Sequence, residues 1–285
     1  MNVSVKAPAK INLVLDVAGR RDDGYHLLDT VFQTVGWYDR ITVENTESGS
    51  VTLSSGTLEL PPEESIAYRA AVGFCEVSGF HKGVHITLEN HIPVHAGLGG
   101  ASADAAGVLM ALNRLAGDPL TAETLCQIGA RLGADVPFCL MGGTARGTQT
   151  GTVLQPLEPL DEGWFVIVKP QEGVSTPEAY RLLDTKPSLF HPSAGAFCAA
   201  LSAGDFEGMA VCVGNSFENA LALPACAAAK QRLLKAGAAA ACMSGSGSAV
   251  FGWFADEKTA KACAAGMTDY AQVHTCRPCS GILFE

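Results

Sequence analysis

Pro93-Val94-His95-Ala96-Gly97-Leu98-Gly99-Gly100-Ala101-Ser102-Ala103-Asp104-Ala105-Ala106 runs from the end of an apolar strand, through a glycine turn, into a helix of small residues. Glycines at 97, 99 and 100 let the backbone approach an anion closely and take left-handed conformations without steric cost. The first N–H groups of the helix have no partners within it, and they point outward with the positive end of the helix dipole behind them. The stretch reads as a phosphate cradle, with Pro93, His95, Ala96, Gly97, Leu98, Gly99, Gly100, Ala101, Ser102 and Ala103 as candidate nucleotide-binding residues. Ser102 adds a hydroxyl for a phosphate oxygen or a metal ion. A glycine-rich turn capped by Ser102 has the same local pattern, so the rest of the chain must decide between them.

Neither of the two commonest nucleotide loops fits. A Walker A loop needs Lys followed by Ser or Thr after its last Gly, whereas Gly100 is followed by Ala101 and Ser102. A dinucleotide loop follows the first strand and has an acid about twenty residues further on. This one comes well into the chain, after the strand His85-Ile86-Thr87-Leu88.

With 285 residues and 48% hydrophobic content the chain can bury a sizeable core, and its length favours two domains. Its net charge of −10 argues against a non-specific nucleic-acid binder, which needs a basic face for phosphates. A polyanionic ligand must therefore be met locally. The N-terminus shows no charged-then-apolar signal pattern, and no apolar run approaches the ~20 residues of a membrane span. A cytoplasmic protein without membrane or nucleic-acid partners is expected. Of the ten cysteines, most sit singly in apolar segments, as small core residues do. Cys276 and Cys279 form a C-x-x-C with no second pair. His81, His85, His91 and His95 are broken up by Gly83 and Pro93, and Val84 to Leu88 reads as a strand, so the helical i, i+4 geometry of a metal-ligand pair is absent.

Ala9 to Val17 alternates, placing Ala9, Ile11, Leu13, Leu15 and Val17 on one strand face and Lys10, Asn12, Val14 and Asp16 on the other. The pattern predicts a half-buried strand with Lys10 and Asn12 side by side. Further strands are expected at 31–35, 39–44, 51–53 and 84–88, and helices at 65–78, 103–115 and 122–132. A Gly- and Thr-rich stretch over 142–152 and prolines near 156 suggest a boundary around residue 155. Beyond it come a strand at 164–168 and helices near 177–183, 194–203 and 224–236. Strands at 238–242 and 249–254 then flank the loop Ser244-Gly245-Ser246-Gly247-Ser248, before a helix at 257–267 and a strand from 271. The mixed order reads as α+β, in α/β layers.

Pro8-Ala9-Lys10-Ile11-Asn12-Leu13, Gly19-Arg20-Arg21-Asp22-Asp23-Gly24-Tyr25-His26, the glycine loop, Leu132-Gly133-Ala134-Asp135-Val136-Pro137 and Ser244-Gly245-Ser246-Gly247 follow one another along the chain. In this order and at this spacing they resemble the GHMP kinases over nearly the whole length. The first two motifs together are particular to a member acting on a cytidylylated substrate. The resemblance implies a two-domain GHMP kinase fold, with a nucleotide-binding domain over 1–155, a C-terminal domain over 156–285 and the active site in the cleft between them. It further implies ATP-dependent phosphorylation, with Mg²⁺, of the 2-hydroxyl of a cytidine-diphosphate-linked methylerythritol.

Asp135 matches the family's catalytic aspartate, and a carboxylate beside a hydroxyl can accept its proton as the oxygen attacks the γ-phosphate. Asp-Val-Pro also suits a helix start, where a capping role would fix that carboxylate. Lys10 matches the lysine that pairs with it and offsets charge on the transferring group. Tyr25 and His26 fall where the family holds the cytosine, Tyr180 where it places a second stacking aromatic, and Asn12 lies beside Lys10 as a polar contact to substrate. Ser102 is the candidate metal-contacting hydroxyl.

The chain departs from the family pattern at His95, where a small residue is usual, and at Ala101 and Ala103 around Ser102. Ser65 stands in place of the usual Asn, and Thr150-Gly151-Thr152 blurs a G-x-G-E. These departures leave adenine recognition unassigned. A mevalonate- or homoserine-type kinase, or a non-catalytic nucleotide-binding protein of the same fold, are the alternatives. The R-x-D-G-Y-H motif argues against the first because those substrates carry no base. Intact Lys10, Ser102 and Asp135 argue against the second. A monomer or homodimer is expected.

Overall fold

The computed structural model describes residues 1–56, 61–186 and 190–285. The first part runs β1 (Asn2–Arg20), β2 (His26–Thr46), β3 (Val51–Ser55), α1 (Ile66–Ser78), β4 (Gly83–Glu89), α2 (Gly100–Leu115), α3 (Ala122–Leu132), α4 (Val136–Met141), β5 (Thr144–Gln149) and β6 (Val153–Pro156). The second runs β7 (Trp164–Lys169), α5 (Thr176–Leu183), α6 (Ala194–Ser202), α7 (Phe206–Cys212), β8 (Gly214–Asn215), α8 (Ser216–Ala220), α9 (Pro224–Lys235), β9 (Ala240–Met243), β10 (Val250–Phe254), α10 (Glu257–Ala265), β11 (Gln272–Cys276) and β12 (Leu283–Phe284).

Among the described residues, eight strands form one sheet in the order β12-β1-β2-β4-β3, with β5 also on β2, β6 on β5 and β8 on β1. The remaining four form an antiparallel sheet, β11-β7-β10-β9. Strand β2 is long enough to fork: residues 40–46 pair with β4 and residues 28–33 with β5. Strands β8 and β12 lie beyond residue 155, yet both pair with β1.

Helices α1 and α2 lie over the first sheet and bury Phe74, Val108 and Leu112 against Ile41, Val43 and Ile86. A second cluster joins the sheets, with Ile11, Leu13 and Val31 of the first packed with Phe165, Phe251 and Trp253 of the second. This continuous core fixes the two sheets relative to each other and so fixes the cleft they share. Helix ends follow their local chemistry. Thr121 caps α3 by accepting from the Thr124 N–H, and Ser175 caps α5 from the Glu178 N–H.

The layered α+β organisation is as expected, with three local corrections. The segments 31–35 and 39–44 belong to one strand, because the backbone passes Gly36-Trp37 with a register shift opposite Pro8/Ala9 that looks like a break in the pattern. The Gly/Thr-rich stretch after 142 contains a true strand, β5. Strand β1 is buried on both faces rather than one, with Lys10 4% and Asn12 2% exposed, because the glycine loop and the Ser244 loop cover its polar side. A bulge between Asn12 and Val14 adds to this by bringing both Leu13 and Val14 into the same core.

Candidate active site

The glycine loop lies between β4 and α2. Its entry is pinned by Asp39 of β2, whose Oδ1 accepts from the N–H groups of His91 and Ile92 at 2.5 and 2.8 Å. Gly97 and Gly99 take φ of +76° and +70°, and Gly99 is the left-handed residue immediately before α2. The first bond of the helix runs from the Ala103 N–H to the Gly99 carbonyl. The N–H groups of Gly100, Ala101 and Ser102 therefore have no helical acceptor, which is the anion-binding arrangement expected at a helix start. His95 also holds a positive φ, of 51°, which is uncommon for a side-chain-bearing residue although His tolerates it better than most.

The loop is held from the other side by the Ser244–Ser248 turn. A β-carbon on Gly97 would stand 2.0 Å from the Ser244 carbonyl oxygen, so only glycine permits this approach. The Ser244 hydroxyl donates to the Gly97 carbonyl at 2.9 Å and accepts from the Asn12 N–H at 3.2 Å. The Ala249 N–H donates to Ala96, and the Asn215 side-chain amide donates to the carbonyls of Met243 and Gly245. The serine-glycine turn is thus a clamp on the cradle, a role its sequence alone shares with a simple hairpin.

Lys10 and Asp135 meet across the floor of the cleft, with Lys10 Nζ 3.4 Å from Asp135 Oδ2. Nζ also donates to Asn12 Oδ1 at 2.9 Å and sits 5.5 Å from the centre of the Phe32 ring. Asn12 is oriented in turn by donating to Thr30 Oγ1 at 2.8 Å. Asp135 occupies the residue before α4, but its side chain makes no cap bond, which corrects the expectation that capping would fix it. What orients the carboxylate is Lys10. About a third of the Asp135 side chain remains accessible, enough for a substrate hydroxyl to reach it. Burial and the Asp135 charge together push the Tyr180 hydroxyl up to about 12, so this phenol stays neutral beside the pair.

At the far end, the β1–β2 turn presents Tyr25, 66% exposed, with His26 behind it. His26 stacks on Tyr180 of α5, ring centres 4.5 Å apart, and Tyr180 meets the Phe217 ring edge-on at 5.0 Å. The ring lying directly on Tyr180 is therefore His26, while Tyr25 is the exposed aromatic surface. Asp184, just past α5, takes His26 Nε2 at 2.7 Å and Arg20 at 3.4 Å.

These groups line one cavity of about 990 Å³. It contains Lys10, Asn12, Tyr25, His26, Asp135 and Tyr180, and, from the cradle, Pro93 and every expected residue from His95 to Ser102. Ala103 does not line it, because its side chain points into the core behind α2. Ser65 caps α1 by position, also outside the cavity wall. The histidines between 81 and 95 do not converge, and among the described residues no group of three or more His, Cys, Asp or Glu side chains could hold a metal ion. All ten cysteines are free, Cys276 and Cys279 included.

Asp39, Asn90 and Asp104 also line the cavity and escaped the sequence reading. Asn90 donates to a carboxylate oxygen of each aspartate. Burial, reinforced by the Asp39 charge, raises Asp104 well above the usual carboxylate range. The available signal was an acid set among alanines at the buried start of α2.

The fold and the clamped cradle define a GHMP kinase, and family models agree: "GHMP kinases N terminal domain" matches residues 65–143 and "GHMP kinases C terminal" matches 196–272. The 4-diphosphocytidyl-2-C-methyl-D-erythritol kinase of Desulfitobacterium hafniense (strain Y51) is 45% identical over 92% of this chain and 91% of its own. A crystal structure of 4-(cytidine 5'-diphospho)-2C-methyl-D-erythritol kinase superposes with a TM-score of 0.82 at 36% identity, over 98% of this chain and all of the other. The chain belongs to the 4-diphosphocytidyl-2-C-methyl-D-erythritol kinase family. Homoserine kinase from Cytophaga hutchinsonii shares the fold, with a TM-score of 0.81, at 20% identity over 100% of this chain and 97% of its own.

Proposed function

We propose that this kinase transfers the γ-phosphoryl group of ATP to the 2-hydroxyl of 4-diphosphocytidyl-2-C-methyl-D-erythritol, with Asp135 as general base and Lys10 as its cationic partner. The observation that carries the reading is the Lys10–Asp135 pair, set in one cavity with the glycine cradle and the Tyr25/His26 turn. The cradle fits a polyphosphate: free N–H groups stand at the start of α2, and the left-handed glycines shape the turn that presents them. The substrate hydroxyl lies against Asp135, which takes its proton as the new O–P bond forms and the bond to the leaving ADP oxygen breaks. Lys10, held by Asn12 and Phe32, keeps Asp135 aimed and balances charge on the transferring group. Tyr25 and His26 receive the cytosine.

Magnesium would be held mainly by the nucleotide's own phosphates and water, with Ser102 as the candidate protein hydroxyl; such an ion offsets the phosphate charge. Among the described residues no helix is long and apolar enough to cross a membrane. Ten free thiols suit the reducing cytoplasm, where we place this enzyme as a monomer or homodimer.

The test is ADP release measured with ATP and each of four acceptors: the cytidylylated substrate, methylerythritol phosphate, mevalonate and homoserine. Turnover is expected with the first alone. Comparable turnover with methylerythritol phosphate, or with either simpler acceptor, would refute the substrate assignment.

A further inference from the structure

His26 is the best-fixed side chain at the base end of the cavity, and what fixes it comes from the other half of the chain. Its Nε2 lies 2.7 Å from Asp184 Oδ1, across a sequence separation of 158 residues. Stacking on Tyr180, with the ring planes 21° apart, sets the tilt of the imidazole. Arg20 holds the second oxygen of the same carboxylate at 3.4 Å, so Asp184 is itself anchored. An ionised carboxylate only accepts hydrogen bonds, and its partner Nε2 must therefore carry the hydrogen. In the neutral ring this leaves Nδ1 as an acceptor. Nδ1 has no partner among the described residues, and the side chain lines the cavity.

We propose that Asp184 determines base specificity through His26. By holding the Nε2–H tautomer it presents an acceptor to the ligand, which suits the exocyclic amino donor of cytosine and opposes the 4-oxo acceptor of uracil. The inference rests on the reading that His26 meets the base. Asp184, which also borders the cavity, is then a positioning residue that acts on the base through His26.

The experiment compares kcat/KM for cytidine- and uridine-diphosphate-linked methylerythritol in the wild type, Asp184→Asn, Asp184→Ala and His26→Ala. It adds long-range ¹H–¹⁵N correlation of the His26 ring in the wild type and Asp184→Asn. The wild type is expected to prefer the cytidine form by about 100-fold or more, since a site built around one hydrogen bond leaves a buried group unpaired with the wrong ligand. Both Asp184 variants should lose at least about tenfold of that preference. The loss should appear in KM with kcat retained, because the base is remote from the transferred group. In the Asn variant the side-chain amide can donate to Nε2 and move the ring proton to Nδ1. An unchanged preference in both Asp184 variants, with His26→Ala collapsing it, overturns the inference and leaves His26 at the base. An unchanged preference in His26→Ala overturns the base-site reading and the inference with it. A wild-type ring protonated at Nδ1 overturns the inference alone.

Discussion

Gly99→Ala should disable the enzyme by displacing Lys10 rather than by spoiling the phosphate cradle. A β-carbon at 99 would lie 2.9 Å from Lys10 Cγ and 3.2 Å from Cε, where ordinary contact begins at 3.4 Å. The lysine has little room to yield. It is 4% exposed, its own N–H donates to the Leu98 carbonyl, and its Nζ is committed to Asn12 and Asp135. Relief therefore means moving the stem, and Nζ with it, by roughly 0.5–1 Å; a misplacement of that size costs up to about 10²-fold in rate, or about 2.7 kcal/mol of barrier. Holding alanine at a φ of +70° costs a further ~1 kcal/mol of folding stability. Steady-state kinetics with coupled ADP detection, together with urea unfolding, separates the two effects. The expected result is a kcat lowered about 100-fold, KM for ATP changed by less than about tenfold, and a stability loss of about 1–2 kcal/mol. A kcat within about threefold of wild type, with the stability loss present, would refute the tight coupling of loop to lysine.

Asp135→Asn should lower kcat by more than about tenfold with little change in KM, and its combination with Lys10→Ala should be less than additive if the two act as a unit; fully additive losses would separate them. Tyr25→Ala should raise KM for the cytidylylated substrate by the equivalent of about 1–3 kcal/mol of stacking while Tyr25→Phe stays near wild type, and indifference to the alanine would remove the ring from the base site. Asp104 has its pKa raised by burial, so the native state retains a proton that the unfolded chain releases. Stability then falls as pH rises between the unfolded and folded values, with a slope of at most about 1.4 kcal/mol per pH unit. Asp104→Asn should remove that slope, so its advantage in urea midpoint should widen from pH 5 to pH 8; parallel profiles would contradict a protonated Asp104.

The loop from Pro93 to Ser102 was legible because backbone sterics and helix ends are local. Glycine tolerates a positive φ wherever it occurs, and a helix always begins with unpaired N–H groups. Lys10, Asp135, Tyr25 and His26 could be nominated because their motifs occur together in one family and their side chains suit its chemistry. Strand β1 was likewise readable as a strand. The burial of both its faces around Lys10 and Asn12 was not, since burial of its polar side depends on a loop more than 230 residues away, where the Ser244 hydroxyl meets the Asn12 N–H.

Apart from the Lys10–Asp135 pairing that the family resemblance implied, partners separated by long stretches of chain were decided only by tertiary packing. That Asp135 answers to Lys10 instead of capping α4 depends on where α4 lands against β1. Gly97 is required as glycine by the Ser244 carbonyl and Gly99 by the stem of Lys10, contacts that no local pattern encodes. His26 and Asp184 meet because α5 sets Tyr180 against the His26 ring at the start of β2, and Asp39 and Asp104 because α2 packs on β2 beneath the loop. A sequence alone determines which conformations and which chemistry each residue can supply, since both are set within a few bonds of the backbone. Which charge faces which, and how deeply it is buried, follows from the shared core that locks the two sheets together.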